Sequence, residues 1–373
     1  MRELRLFLCG DVMLGRGVDQ IMSSPSSPQL FEPHVTSAEI YLHLAEVAHG
    51  PIPRGVAPGY VWGDALAVLA EQPPAARIIN LETAVTTSDR AWPKGINYRM
   101  HPDNVACLTA ARIDCCVLAN NHVLDWGRDG LVETLDTLRR AGISTAGAGR
   151  DASEAAAPAV LPLDGGTRAL VFGFASASSG VPADWAAEVA IPGVNLLPDL
   201  SAETAAALAK SARRLRQPGD VLIASIHWGE NWGYRIPGHQ QRFSRALIEG
   251  GFDLVHGHSS HHAKGIEVYR HKLVLYGCGD FINDYEGISG YEDYRGDLAV
   301  MYLPCLDADT GCLRSLRMVP MQIRQFRLNR PLLQDAMWLY QALGRKNAPL
   351  GVMLNMQEDG SFLIEDGGTS ACV

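Results

Sequence analysis

The sequence predicts an α/β fold, and two observations predict it. Apolar strand-like runs alternate with helical patterns along most of the 373 residues, an order that implies parallel strands joined by crossover helices. Five of those runs also end in polar residues that a plain core has no use for, and the carboxyl ends of parallel strands are where such sheets hold their chemistry.

The elements are expected in the following order. A strand at 4–9 leads to a helix at 61–71, a strand at 77–81, a helix at 102–111, a strand at 113–118, a helix at 128–141 and a strand at 143–146. Strand-like runs at 158–163 and 168–174 are separated only by Asp164-Gly165-Gly166-Thr167, which is a hairpin signal. A helix at 201–216, a strand at 220–226, a helix at 238–250 and a strand at 252–255 restore the alternation. A second hairpin pairs 265–269 with 272–276 and turns at Arg270-His271. Strands near 297–304 and 313–320, with Asp307 to Gly311 between them, precede an amphipathic helix near 331–344. Two segments interrupt the pattern, 23–59 and 176–198; each follows a strand that carries candidate site residues, so each reads equally as a lid or as an inert insertion.

Composition bounds the partners. With 47% hydrophobic residues the chain is long enough for a large core. A net charge of -9, from 32 basic and 41 acidic residues, argues against nucleic acid or an anionic membrane as the main partner. The start, Met1-Arg2-Glu3, runs straight into a strand without the pattern of a secretory signal, and no run is apolar for the ~20 residues of a membrane span. A cytoplasmic protein is the expectation. The eight cysteines are scattered without a C-x-x-C pair and read as buried thiols.

The run Val255 to Lys264, V-H-G-H-S-S-H-H-A-K, places four of the twelve histidines within seven positions after an apolar run. Histidine is the commonest metal ligand, so a metal site explains this better than a His-rich surface loop. The other strand-end groups are Asp11, Glu82, Asn120-Asn121-His122 and His227-Trp228-Gly229-Glu230. Parallel strands bring their carboxyl ends to one edge, so these groups converge there. Two carboxylates, an amide oxygen and several imidazoles suit Mn, Fe, Zn, Co or Ni, as one ion or as two sharing a carboxylate. Each residue alone has a plainer reading: Asp11 as a helix cap, Asn121 as a turn residue, Glu82 as a surface carboxylate, His227 as a core histidine. Jointly those readings do not hold.

The ordered motifs carry a family likeness. GD-V-M-L-G-R, N-L-E, A-N-N-H-x-x-D-x-G, G-A-G-R, I-H-W-G-E, the GH-containing cluster and GIEVYRHKLVLYGCGDFINDY resemble the CapA family, named for poly-γ-glutamate capsule synthesis, within the calcineurin-like metallophosphoesterase superfamily. The likeness spans about 4 to 320. It implies a four-layer α/β/β/α sandwich of metallophosphoesterase type with mixed sheets and a dinuclear metal site, filling 1–325, with 326–373 as a helix and tail packed on the same domain. It also implies metal ligation by Asp11, Glu82, Asn121 and His227, a substrate or leaving-group role for His122, and a last pair of ligands from His256, His258 and His261. Counting from the strand points to His258 and His261; H-x-H spacing points to His256 and His258.

This chain departs from the family pattern at three places. Met13 stands where phosphoesterases carry a second histidine, which weakens one metal position. Ser259-Ser260-His261 replaces a His-Pro-His, and no anchor typical of capsule members is evident. The superfamily default is hydrolysis of a phosphoester by metal-activated water, with His122 protonating the leaving group; for proton exchange at a Cα, Asp11 or a spare histidine of the cluster, His261 or His262, serves as base. Arg16 reads either as a clamp for an anionic substrate or as a solvated cation. Trp126, Trp228, Trp232, Tyr234 and Tyr285 flank the motifs and suggest an aromatic cleft for a peptide or other small organic substrate, with Trp228 as a contact. The alternatives, which the likeness also permits, are a metal-dependent peptide epimerase in ribosomal-peptide maturation and a poly-γ-glutamate biosynthesis accessory.

Overall fold

In the computed structural model, which describes residues 2–365, strand Glu3–Val12 is the spine of a ten-stranded mixed sheet. On one side it pairs in parallel with Ala76–Leu81, followed by Cys115–Val117 and Ser144–Ala146. On the other it pairs antiparallel with Leu298–Asp307, which continues into Leu313–Arg324 and Phe362–Glu365. A six-stranded sheet runs Ile266–Tyr269, Lys272–Leu275, Leu254–His258, Val221–His227, Arg168–Ala175, Ala159–Pro162. Its four inner strands are parallel, and both edges are the antiparallel hairpins the sequence predicts. At the second hairpin Arg270 and His271 both take positive φ, the backbone that a two-residue turn between twisted strands needs.

The two sheets face each other across one core, and helices cover the outer faces, which is the expected four-layer sandwich. Leu6, Leu8 and Ile78 of the large sheet share the inner core with Val171, Ile223 and Leu254 of the small one. Because strand side chains alternate, Leu170, Phe172, Leu222, Ala224 and Val255 point the other way. They meet Ala205 and Ala209 of helix Ala202–Leu215 and Phe243 and Leu247 of helix Gly238–Glu249. Helix Gly127–Arg140 buries Leu131, Leu135 and Leu138 on the outside of the large sheet. Leu339 and Leu343 of helix Leu333–Asn347 join the inner core; the expected tail beyond 365, with Cys372, lies outside the described residues.

Several expected boundaries shift. The strand expected at 252–255 runs Leu254–His258, so His256 and His258 belong to the strand rather than to a loop after it. Their ladder continues because Ser225 pairs with His256 and His227 with His258. Gly257 between them lies against the next strand, where a Cβ would sit 2.6 Å from the Leu275 carbonyl oxygen. The helix expected at 61–71 starts at Ala65, and the one at 102–111 is a 3-10 turn, Pro102–Val105, followed by Ala106–Ala110. The 23–59 segment contains an amphipathic helix, Glu39–His49, and a short strand, Asp280–Ile282, was not foreseen. Six cysteines are free and buried, as expected of small apolar side chains; Cys312 is instead disulfide-bonded. Among the described residues no helix is long and apolar enough to cross a membrane.

Candidate metal centre

Alternation and register build the site. Leu222, Ala224 and Ile226 point outward, so Ser225 and His227 point into the gap between the sheets; His256 and His258 stand directly beside them. From the large sheet, Asp11 is the register partner of Asn80 on one side and of Asp280 on the other. Strand ends of both sheets therefore meet, and all of these residues are buried.

A chain of hydrogen bonds fixes one histidine tautomer. His256 Nε2 lies 2.8 Å from the Cys9 carbonyl oxygen, which only accepts, so Nε2 carries the proton. Burial lowers the His256 pKa to about 4, so its ring is neutral and Nδ1 accepts from Ser225 Oγ at 3.0 Å. Ser225, its proton committed, accepts from His258 Nε2 at 3.0 Å. The Nδ1 lone pair of His258 then points into the site, 2.8 Å from His227 Nδ1 and 4.0 Å from Asp11 Oδ1.

His227 completes a surplus of electron pairs. Its Nε2 lies 3.1 Å from Asn121 Oδ1, an acceptor, and 3.8 Å from Glu82 Oε1. A neutral His227 has one ring proton, which serves either His258 Nδ1 or Asn121 Oδ1 and leaves the other contact as acceptor against acceptor. Burial and the neighbouring histidines lower the pKa of His227, disfavouring the doubly protonated ring. Burial and mutual repulsion raise both carboxylates, Asp11 to about 7 by burial and by Asp280, and Glu82 well up by burial and by Asp11. Neutral imidazoles and carboxylates short of positive charge are the donor set a divalent cation satisfies. Among the described residues, two groups have ligand atoms within 4.8 Å of one another: Asp11, His227 and His258, and Asp11, His261 and Asp280.

Two Asp-supported imidazoles lie at opposite ends of this row. His122 Nδ1 is 2.7 Å from Asp125, whose other oxygen pairs with Lys94 at 2.7 Å, and His122 Nε2 stands 3.8 Å from Glu82. His261 Nδ1 is 2.8 Å from Asp280, which Asn283 also holds at 2.8 Å. Burial drives the His122 pKa down to about 4; burial presses on His261 too, but the Asp280 carboxylate outweighs it and that pKa is raised.

The other expected site residues are placed differently. Trp228 does not line a cleft. Because His227 points inward, Trp228 points outward, where it is 1% exposed, packs on Phe243 and donates to the Tyr276 carbonyl oxygen at 3.0 Å. Arg16 is neither solvated nor free for an anion. It forks onto Asp284 at 2.6 and 3.1 Å, reaches Glu32 at 2.9 Å and lies over the Tyr41 ring at 3.8 Å. Glu32 and Tyr41 come from the 23–59 segment, which closes around this arginine. His262 is turned away from the donor row into an aromatic nest, 4.4 Å from the Tyr234 ring and 4.8 Å from that of Tyr294, with Nε2 lacking a partner. Met13 is buried beside the Tyr285 hydroxyl.

Sequence reasoning missed Asp280, Asn80 and Ser225. Asn80 donates to Asp11 at 2.8 Å and to Glu82 at 3.3 Å. For Asp280 a signal existed, because Gly-Asp ends an apolar run at 279–280 as it does at 10–11. Both glycines are required: a Cβ on Gly10 would lie 1.8 Å from the Gly279 oxygen.

The fold is therefore a two-sheet α/β sandwich with buried carboxylates and histidines gathered at its strand ends. The chain belongs to the family described as "Bacterial capsule synthesis protein PGA_cap", whose model matches residues 5–285, which bears out the CapA resemblance. A "Probable polyglutamine synthesis accessory protein" of Mycobacterium tuberculosis is 44% identical over 356 residues, 95% of this chain and 94% of the relative. The "Capsule biosynthesis protein CapA" of Bacillus anthracis is 24% identical over 76% of this chain and 60% of its own length. The "PGA biosynthesis protein CapA" of Bacillus subtilis is 25% identical over 79% and 66%.

Proposed function

We propose that the protein is a metal-dependent hydrolase of a peptide-like bond. The observation that carries this reading is the electron-pair surplus at His227, where a neutral ring faces the His258 Nδ1 lone pair at 2.8 Å and Asn121 Oδ1 at 3.1 Å. Asp11, Glu82, Asn121, His227 and His258 would hold a divalent ion, of the Mn, Fe, Zn, Co or Ni class. When bound, such an ion supplies Lewis-acid polarisation of a substrate oxygen and acidifies water.

The chain's own residues do the rest. His256 and Ser225 lock the His258 tautomer, an orienting role behind a ligand. His122, anchored through Nδ1 to Asp125, presents Nε2 toward Glu82 and takes a proton from attacking water. His261, anchored to Asp280, lines the neighbouring cleft and delivers a proton to the leaving group.

A second reading is proton exchange at a Cα, as in an epimerase. It is favoured by the two Asp-supported imidazoles, because the strand order Asp280, Asp11, Asn80 puts His261 and His122 on opposite sides of the row. An accessory role in poly-glutamate synthesis is supported by the names of the relatives.

The deciding experiment incubates metal-loaded protein with peptide, γ-glutamyl and phosphodiester substrates in deuterated water. Amide cleavage supports the hydrolase, and Cα deuteration without cleavage the epimerase. Hydrolysis of the phosphodiester alone, to a phosphomonoester and an alcohol, would replace the peptide reading by a phosphoesterase, and inactivity with every divalent metal would leave the accessory role.

A further inference from the structure

Beside the donor row lies a cleft of about 460 Å³, within the ~300–1,000 Å³ usual for small-molecule sites. His261 belongs to both, so the cleft opens onto the reacting end. Its walls are chemically specific. Trp232 stacks on Tyr291 with centroids 4.1 Å apart and planes 8° from parallel, and Tyr285 packs on His261 at 5.3 Å. Ile96, Ile288 and Tyr291 line it while 44%, 42% and 47% exposed. A group of exposed large apolar side chains around a concavity marks a place where an apolar ligand covers them.

The charges on these walls are arranged against an anion. Four wall residues are basic, and each is already matched, His261 by Asp280 at 2.8 Å. Arg16 is paired with Asp284 and Glu32, at 2.6 and 2.9 Å. His49 is 2.6 Å from Glu286, and Arg295 reaches Asp297 at 2.7 Å and Asp335 at 2.8 Å. Glu286, Glu292 and Asp297 line the cleft as carboxylates. A γ-glutamyl polymer carries one carboxylate per residue and would enter a cleft with no uncommitted cation on its walls, in a protein of net charge -9.

We infer that the cleft takes an uncharged peptide segment bearing an apolar or aromatic side chain, laid against Trp232 and Tyr291, rather than a polyglutamate chain. This rests on the donor row being the reacting end, since the cleft's orientation toward His261 defines which part of the ligand is presented.

The test is calorimetric titration of the full-length, manganese-loaded protein with two probes, acetyl-Ala-Phe-Ala-amide and a γ-linked glutamate decamer. The neutral peptide should bind saturably and with little salt dependence, while the decamer gives no heat. Tyr291→Ala and Ile288→Ser, both at exposed rim positions, should each weaken the peptide about tenfold with bound manganese unchanged. Decamer binding equal to or tighter than the peptide, no binding of either probe, or rim variants that leave affinity intact would overturn the inference. Peptide bound but never cleaved would keep it and remove the hydrolase reading, so the two fail separately.

Discussion

Asp11 and Asp280 stand opposite each other in the parallel ladder between Glu3–Val12 and Asp280–Ile282, and both are buried. The approach is as close as it is because glycine precedes each of them. Burial raises the Asp11 carboxyl, and repulsion by the neighbouring Asp280 carboxylate adds to it, to about 7. A divalent cation would turn this repulsion into shared attraction. Asp280→Asn should therefore lower divalent-metal affinity by about 10- to 100-fold. In chelator, stability should rise at high pH, where ionised Asp11 no longer meets a second carboxylate, and fall at low pH, where protonated His261 loses its partner. Competition titration with a metal indicator and melting curves in chelator read the two halves; unchanged metal affinity would exclude Asp280 from the site.

Ser225→Ala tests the tautomer lock. Without the hydroxyl, His258 Nε2 loses its acceptor and His256 Nδ1 its donor, so the His258 proton is free to sit on Nδ1, where it blocks ligation. Metal affinity is expected to fall about 10-fold or more, while Ser225→Thr, which keeps the hydroxyl, restores most of it. Equal affinity in all three proteins would remove the relay from the account of the site.

The layers were legible because their signals are local: alternation of strand and helix patterns, and turn residues such as Asp164-Gly165-Gly166-Thr167. So was the convergence of Asp11, Glu82 and Asn121, since parallel order sends the strand ends of one sheet to one edge; His227 joins them from the second sheet, whose stacking on the first that order does not encode. What pairing decides was less legible. Whether His256 points at the site with a free lone pair depends on Ser225 and the Cys9 carbonyl, residues 31 and 247 positions away. Trp228 and His227 are adjacent in sequence and face opposite layers, which the alternation would have shown once the strand's end was placed at His227. Arg16 was unreadable because its partners, Glu32 and Asp284, lie in an insertion and in a late loop.

Trp228→Ala separates packing from substrate contact. The indole fills the layer between the small sheet and its helices, with Phe243 and Tyr276 as neighbours. Removing it should cost about 3–5 kcal/mol of stability, read as a lower urea midpoint. Metal content per folded protein should not change. A variant of wild-type stability with impaired substrate binding would return Trp228 to the cleft.

His262 gives a pH dependence whose sign is fixed. The residue is 2% exposed with Nε2 unpartnered, and burial lowers its pKa from 6.5 to about 4. Between those values the unfolded chain binds the proton that the folded one refuses, so stability rises with pH there. The contribution is fully present above 6.5 and lost as pH falls to about 4, up to about 3 kcal/mol in all. His262→Phe keeps the stacking on Tyr234 and Tyr294 and removes the titration. In chelator the variant should match or exceed wild type at pH 7, since an orphaned buried nitrogen is gone. Its advantage should then widen steadily as pH falls from 6.5 toward 4. Parallel urea titrations across that range measure the gap, and a gap that stays constant with pH would show that His262 is protonated equally in both states.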